Sequence, residues 1–474
     1  MKFQFRPVLW GFCMALVPFT SFALTLDEYL GQVRLNNEGV RGAKLGGEAK
    51  GLRLSESTLF FKPSVFLNGE FSDDKRPTNA PTFQGNQTVR NTFRAGLSQN
   101  YRSGTKASLS YNIFKTEING ASPGVLTRDT FYDIAPQIEL SQSLWRNFMG
   151  AEFEANEQAQ RSQVEASRLN DQFTLKQLLI KAENAYWRLV FAEQASKVQK
   201  ESLDRAMKLR DWNAKRMRNN LVDESDYLQT EANLQSRELE NENASIELET
   251  AKREFNSVRQ SNEDVSLIGT SAADREFLLS VQAPEKSGPR EDVLIAIENQ
   301  KAIAASSALG NEKNKPNLEL YGSYAMYGRD LKYSDAYNQS VGGTRPWTII
   351  GMRFTTALDF VSVSEYKKGY AQEKAAAEMT ARRKTYEVDR EWEILSQRFD
   401  QFKKRLKLSK RMEEIQLRKL SSEKKRFGQG RTTTFQVLQF EQDYANTQLL
   451  KLRNEQELIT IYNQLKLFTG VSNE

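Results

Sequence analysis

The sequence predicts an α+β chain in which long helices alternate with short strands, in two halves of similar order. Three observations carry that expectation. Glycine and proline, 26 and 11 of the 474 residues, are absent from Ala151 to Ile268, from Ala371 to Phe427 and from Arg431 to Thr469. Outside those runs, apolar and polar residues alternate with period two. Finally, two related stretches, RMRNNLVDESDYLQTE at 216–231 and RFGQGRTTTFQVLQFEQ at 426–442, interrupt the helical runs at corresponding points.

The first 23 residues place Lys2 and Arg6 ahead of an apolar stretch from Val8 to Phe19, followed by Ser21 and Ala23. This is the pattern of a secretory signal peptide, and the apolar stretch is shorter than the ~20 residues of a spanning helix. An entry helix then ends at a proline before a strand, in LSESTLFFKPSVFL at 54–67, and SALGNEKNKPNLEL at 307–320 repeats the arrangement. Measured from Asn36 to Pro63 and from Asn299 to Pro316, the second entry helix is the shorter, so it must stop short or be completed by a neighbour.

Strands are expected at 64–72, 92–101, 106–114 and 136–144, with RSGT at 102–105 as a tight turn, and again at 317–328 and 346–354. Aromatic residues gather around them, from Phe60 and Phe61 through Trp145 and Phe148, and from Tyr321 through Trp347 to Phe360. That pattern fits either a β-sandwich core or a membrane barrel with aromatic girdles. The signal peptide and the polar loops at 73–91, 116–130 and 328–345 favour the barrel.

In the helical runs, Leu175, Leu178, Leu179, Ala182, Ala185, Tyr186, Leu189 and Val190 recur at steps of three and four, continuing to Leu203 and Met207. Tyr386, Val388, Trp392, Leu395, Phe399, Phe402, Leu406, Met412 and Ile415 do the same in the second half. Both read as seams of coiled-coil helices, and a helix of roughly 65 residues reaches about 100 Å. Asn219 and Asn220 in one turning point, and Gly428 and Gly430 in the other, supply residues that tolerate positive φ. Thr432 to Thr434, or Asp223 and Ser225, are available as caps for the helix that follows.

The organisation expected is therefore a signal peptide at 1–23 and a first structural repeat at 24–268, with strands within 64–144 and long helices within 151–260. A linker at 269–288 leads to a second repeat at 289–474, with strands within 317–356 and long helices within 365–468. The chain is read as an internal duplication.

Composition narrows the function. Histidine is absent, and Cys13, the single cysteine, leaves with the signal peptide. The usual nucleophile pairs and zinc or copper sites are thereby removed, so no enzyme activity, catalytic residue, cofactor or metal site is expected. The formal charge of +6 arises from 67 basic and 61 acidic residues that are interspersed, which argues against nucleic acid.

The RF-x-x-G-x-x-x-x-x-x-V-L pattern at 426–438, the R-M-x-x-N-L-V-x-x-S-D-Y pattern at 216–227 and KPNLELYGSY at 315–324 resemble the TolC-type outer-membrane efflux protein family. The resemblance runs from LTLDEYL at 24 to LKLFTG at 465. It implies a homotrimer in the outer membrane of a Gram-negative bacterium, whose lipid-embedded β-barrel continues into a periplasmic α-helical coiled-coil barrel. It implies a passive exit duct of a tripartite efflux or type I secretion system, with a periplasmic adaptor (membrane fusion) protein and an inner-membrane pump as partners. Typical members give four strands per subunit. The possible hairpin at 92–114 raises the count here to six, and either total over three subunits is even.

By the same resemblance, Asn219, Asn220 and Leu221, with Gln429 and Gly430, fall where adaptor hairpins touch the tips. Asp226, Phe427 and Arg431 fall in the network that holds the mouth closed, with Arg431 or Arg426 available to pair with Asp226. Asp226 also reads as an ordinary carboxylate at a helix start. At the constriction the family's two acidic positions are occupied by Gln436 and Gln439, with Glu441 and Asp443 near enough to substitute in part. The alternative to a conduit is an exported coiled-coil rod whose strands form soluble caps.

Overall fold

A computed structural model describes residues 24–122, 124, 129–261, 282–343 and 345–469. The signal peptide with Cys13, and most of the expected linker, lie outside the described residues. In order the elements are α1 (Leu26–Asn36), α2 (Glu38–Arg53), a 3₁₀ turn (Glu56–Phe61), β1 (Ser64–Asp74), α3 (Pro81–Gln84), β2 (Gln87–Asn100), β3 (Thr105–Asn119) and β4 (Thr130–Ser143). There follow α4 (Ala151–Arg218), α5 (Glu224–Arg259), α6 (Glu291–Lys313), β5 (Asn317–Met326), β6 (Gly328–Asp330), α7 (Tyr333–Val341), β7 (Pro346–Thr355), α8 (Phe360–Gly428) and α9 (Thr434–Lys466). The chain divides into two units: one holds residues up to Gly42, Leu175–Gly288 and the chain from Glu391 on, the other Ala43–Thr174 and Pro289–Arg390. Among the described residues no helix is long and apolar enough to cross a membrane.

The first unit is helical. Its core is built from Tyr29 and Val33 of α1, Tyr186, Leu189 and Val190 of α4, Phe255 of α5, and Leu452 and Ile459 of α9. The Tyr29 and Phe255 rings stack with centroids 4.2 Å apart. α1 starts at a capping box between Thr25 and Glu28. It breaks at Asn37, whose side-chain amide donates to the Val258 carbonyl at 2.7 Å while its oxygen accepts from the Val40 N–H. The first entry helix is therefore two pieces and a 3₁₀ turn. The second, α6, is unbroken and begins at Glu291 rather than near Asn299. Its first-turn acids face the positive end of the helix dipole, and Arg290 pairs with Asp292 at 2.8 Å.

Along α8 the buried apolar residues are Ala377, Ala381, Val388, Leu395, Phe399, Leu406, Leu420 and Phe427. Positions 381, 388 and 395, and 399, 406, 420 and 427, lie one or two heptads apart, the spacing of a coiled-coil seam. Tyr386, Met412 and Ile415, expected on that seam, are exposed, as is Met207 on α4. Each falls a residue or two off the stripe, which a count of threes and fours does not detect. Phe360, expected beside the strands, is instead the first residue of α8, where Asp359 accepts from the Ser362 N–H at 3.0 Å and its hydroxyl at 2.6 Å.

The second unit carries one antiparallel sheet in the order β1-β2-β3-β4-β5-β7, with β6 pairing β4. In this single chain the sheet is open, with β1 and β7 at its edges. Every expected strand is present, and several run further. Thr116 pairs with Phe131 and Glu117 with Thr130, so part of the loop expected at 116–130 is ladder. The loop expected at 328–345 contains β6 and α7. RSGT is a turn, closed by the Tyr101 N–H to the Thr105 carbonyl at 2.8 Å.

Register sorts the sheet into two unlike faces. One row runs Val65, Leu97, Leu109, Ile138, Tyr324, and beside it lie Leu140, Ile350, Leu320, Met352 and Phe354. All of these side chains are exposed. The adjacent row, pointing the other way, runs Ser64, Ser98, Ser108, Glu139, Ser323. Side chains alternate between faces along a strand, so this register gathers the apolar set on one side across all six long strands.

Candidate functional site: the paired helical turns

α4 ends at Arg218 and α8 at Gly428, and both ends gather cations: Lys215, Arg216 and Arg218 on one, Lys425 and Arg426 on the other. Positive side chains there complement the negative end of the dipole. The residues closing the two turns, Asn220 and Gly430, take φ of 56° and 72°. Only asparagine and glycine visit this left-handed region readily, which is why the turning points carry them. The Asn220 N–H bonds to the Met217 carbonyl and the Leu221 N–H to that of Arg216, both at 2.9 Å. The Gly430 N–H bonds to the Phe427 carbonyl at 3.0 Å and the Arg431 N–H to that of Arg426 at 2.9 Å. This is the same Schellman pattern twice, in the register obtained by setting Arg426 on Arg216. After each turn a helix restarts: the Thr433 hydroxyl accepts from the Gln436 N–H, whereas Asp223 makes no side-chain cap.

Below the turns, side-chain contacts join the two helical hairpins. The rings of Trp212 and Phe427 lie 4.5 Å apart, with the Arg216 guanidinium 4.4 Å from the Trp212 centroid on its other contact. Asn213, fully buried, approaches the Thr434 hydroxyl at 3.4 Å. Glu441, 9% exposed, accepts from Arg205 Nε at 2.8 Å and lies 2.5 Å from Lys424 Nζ. Arg205, Trp212, Lys424, Phe427 and Glu441 border a cavity of about 320 Å³ that Leu209, Gly428 and Val437 help to line. Burial, with Glu413 nearby, raises the pKa of the Tyr444 hydroxyl above its ordinary value. Its ring lies 5.8 Å from the Arg205 guanidinium.

Of the residues expected at the gate, Phe427 is buried in this cluster. Asp226 sits half-buried in the first turn of α5 and has no ion pair among the described residues. Arg426 instead turns to Glu423 on its own helix at 3.3 Å, and Glu423 also accepts from the Thr432 hydroxyl. Arg431 is exposed on the turn. Gln436 and Gln439 are exposed on one face of α9, and Gln439 donates to Asp443 at 3.1 Å. Glu441, expected to stand in for the missing acids, points to the buried side and is committed to Arg205 and Lys424. Asp443 shares the glutamine face but is 3.3 Å from Lys419. Asn219, Asn220, Leu221, Gln429 and Gly430 form the exposed turns themselves.

Trp212, Arg205 and Glu423 were not singled out by the sequence. Only an aromatic one turn before the first turning point hinted at a partner for Phe427.

The fold so assembled is that of outer-membrane channel proteins, as the sequence resemblance implied. The chain matches the outer membrane channel CmeC of Campylobacter jejuni at 15% identity and TM-score 0.64, over 99% of this chain and 94% of that one. It matches the outer membrane protein VceC of Vibrio cholerae at 12% identity and 0.65, over 94% and 96%. The open state of the MtrE outer membrane channel of Neisseria gonorrhoeae matches at 14% identity and 0.63, over 94% and 89%. By sequence, no family model and no curated protein matches.

Proposed function

We propose that this chain is one subunit of a homotrimeric duct in the outer membrane of a Gram-negative bacterium. In this reading it is the passive exit of a tripartite efflux or type I secretion system, coupled to a periplasmic adaptor and an inner-membrane pump. The observation that carries it is the sorting of the sheet, apolar on one face and polar on the other. An exposed apolar face over six strands is what lipid requires, and a polar face suits a water-filled lumen. Three such sheets joined edge to edge would leave no free edge in the bilayer. A soluble rod has no use for the apolar face. The test is the native mass after separating membranes and extracting with mild detergent. A trimer that leaves the outer-membrane fraction only with detergent is expected, whereas a soluble monomer or dimer overturns the reading.

In the duct, the paired turns form the periplasmic mouth. Asn219, Asn220, Leu221, Gln429 and Gly430 are offered to the adaptor, a role supported by their exposure. Phe427 pins the two hairpins together, and Asp226 and Arg431, which form no ion pair among the described residues, are available to neighbouring subunits. Gln436 and Gln439 line the constriction, which is therefore neutral and does not concentrate cations as a ring of carboxylates does. Replacing both (Gln436→Asp with Gln439→Asp) is expected to raise cation preference in planar bilayers. An unchanged reversal potential would show that they lie away from the ion path.

A further inference from the structure

Between β6 and β7 the chain forms the nine-residue helix α7, and this helix lies against the apolar face of the sheet. Gly328 pairs with Ile134, an apolar-face position, and a Cβ there would meet the Ala336 carbonyl oxygen at 1.9 Å. Only glycine lets the helix backbone come this close. Tyr111 and Tyr132, on the same face, reach the helix from below: the Tyr111 and Tyr333 hydroxyls are 3.2 Å apart, and the Tyr132 and Tyr333 rings meet edge-on at 6.3 Å. Ile134 is fully buried here, while Leu109, Ile138 and Leu140 along the same face are exposed.

The level at which α7 sits is distinctive. Passing along the strands away from the Leu109 row, the face reads Ile113 with Ile134, then Lys115 with Tyr132, then Glu117 with Thr130. The helix covers the transition from apolar to charged. It buries Ala336 and Ser340, and beside them, at four-residue spacing, Tyr333, Tyr337 and Val341 remain exposed. Ser334, Asp335 and Asn338, on the remaining arc, are exposed and polar. A copy of the chain pairing at β1 or β7 would add its strands two strands away from β3 and β4, which carry this helix.

We propose that α7 is a membrane-interface anchor. Its Tyr333–Tyr337–Val341 stripe enters the boundary between headgroups and acyl chains of the lipid leaflet, and its polar arc stays in water. Tyrosine suits that layer because its ring is apolar and its hydroxyl is wet, and an amphipathic helix lies in the same plane. The helix is continuous with the apolar band, so it sets the depth at which the barrel rides. The inference rests on the outer-membrane reading, and its test separates the two.

Cys13 is the only cysteine, so in a Cys13→Ser background single thiols are placed by Ile350→Cys, Tyr337→Cys and Asn338→Cys, all at exposed positions. Each is given a nitroxide label, checked for unchanged native mass, and reconstituted in phosphatidylcholine vesicles. Collisions with oxygen and with a nickel chelate are then compared. The oxygen-to-nickel ratio is expected to be highest at 350, severalfold lower at 337, and severalfold lower again at 338. If 350 remains oxygen-rich while 337 matches 338, α7 stands clear of lipid and the anchor is overturned with the barrel intact. If 350 is itself nickel-rich, the sheet is not in lipid and both readings fall.

Discussion

Replacing Phe427 with alanine is expected to loosen the helical turns by about 3 kcal/mol and leave the rest of the helical unit unchanged. Phe427 is 8% exposed and lies 4.5 Å from Trp212, so its ring links α8 to α4. Removing a buried phenylalanine costs roughly 3–5 kcal/mol, and the lower end applies where a cavity already adjoins the site. Amide exchange reads the effect: protection from Asn219 to Thr230 and from Gln429 to Val437 should fall, while that around Tyr29 and Phe255 holds. If the duct reading is correct, the same variant raises single-channel conductance with the trimer intact. Unchanged protection at the turns would show that the ring contact does not hold the hairpins together. Asp226→Ala supplies the comparison. With no ion pair among the described residues, it should leave exchange unchanged in the monomeric state and act on conductance only through neighbouring subunits.

The second large effect concerns a pair of adjacent positions on β3. Leu109→Arg is expected to reduce yield and stability of the membrane-inserted protein, and Ser108→Arg is not. Leu109 is 53% exposed, in the middle of the apolar row, and an arginine on the lipid face near the bilayer midplane costs about 2–4 kcal/mol. Ser108 points to the opposite face, where its hydroxyl lies 3.3 Å from Glu139 and an arginine gains a partner. In water the two variants would behave alike, because an exposed leucine carries no packing to lose. Heat-modifiable mobility after refolding into detergent or lipid distinguishes them, and equal behaviour would sink the lipid-facing assignment.

Much of this architecture was legible because its signals are local. Runs without glycine or proline became α4, α5, α8 and α9, and the turning points became Schellman turns in the expected register, since left-handed φ selects asparagine or glycine wherever a helix must stop. Strand boundaries were less legible. Thr116 and Glu117 look like loop residues, and they are strand because Phe131 and Thr130 complete the ladder opposite them. The same holds for α7: the segment 328–345, with three glycines and several polar residues, reads as a loop until Ile134, Tyr111 and Tyr132 offer it a surface.

At the turns the division is sharper. The sequence by itself determined that helices of this length exist, where they turn, and that the strands alternate apolar and polar, because backbone φ preference and side-chain period are properties of neighbouring residues. The tertiary structure alone decided that Trp212 meets Phe427 across more than 200 residues, that Glu441 turns inward to Arg205 and Lys424, and that Gln436 and Gln439 face out beside Asp443. Burial and ion pairing are set by what lies opposite a side chain, and for these residues that partner is supplied by another helix.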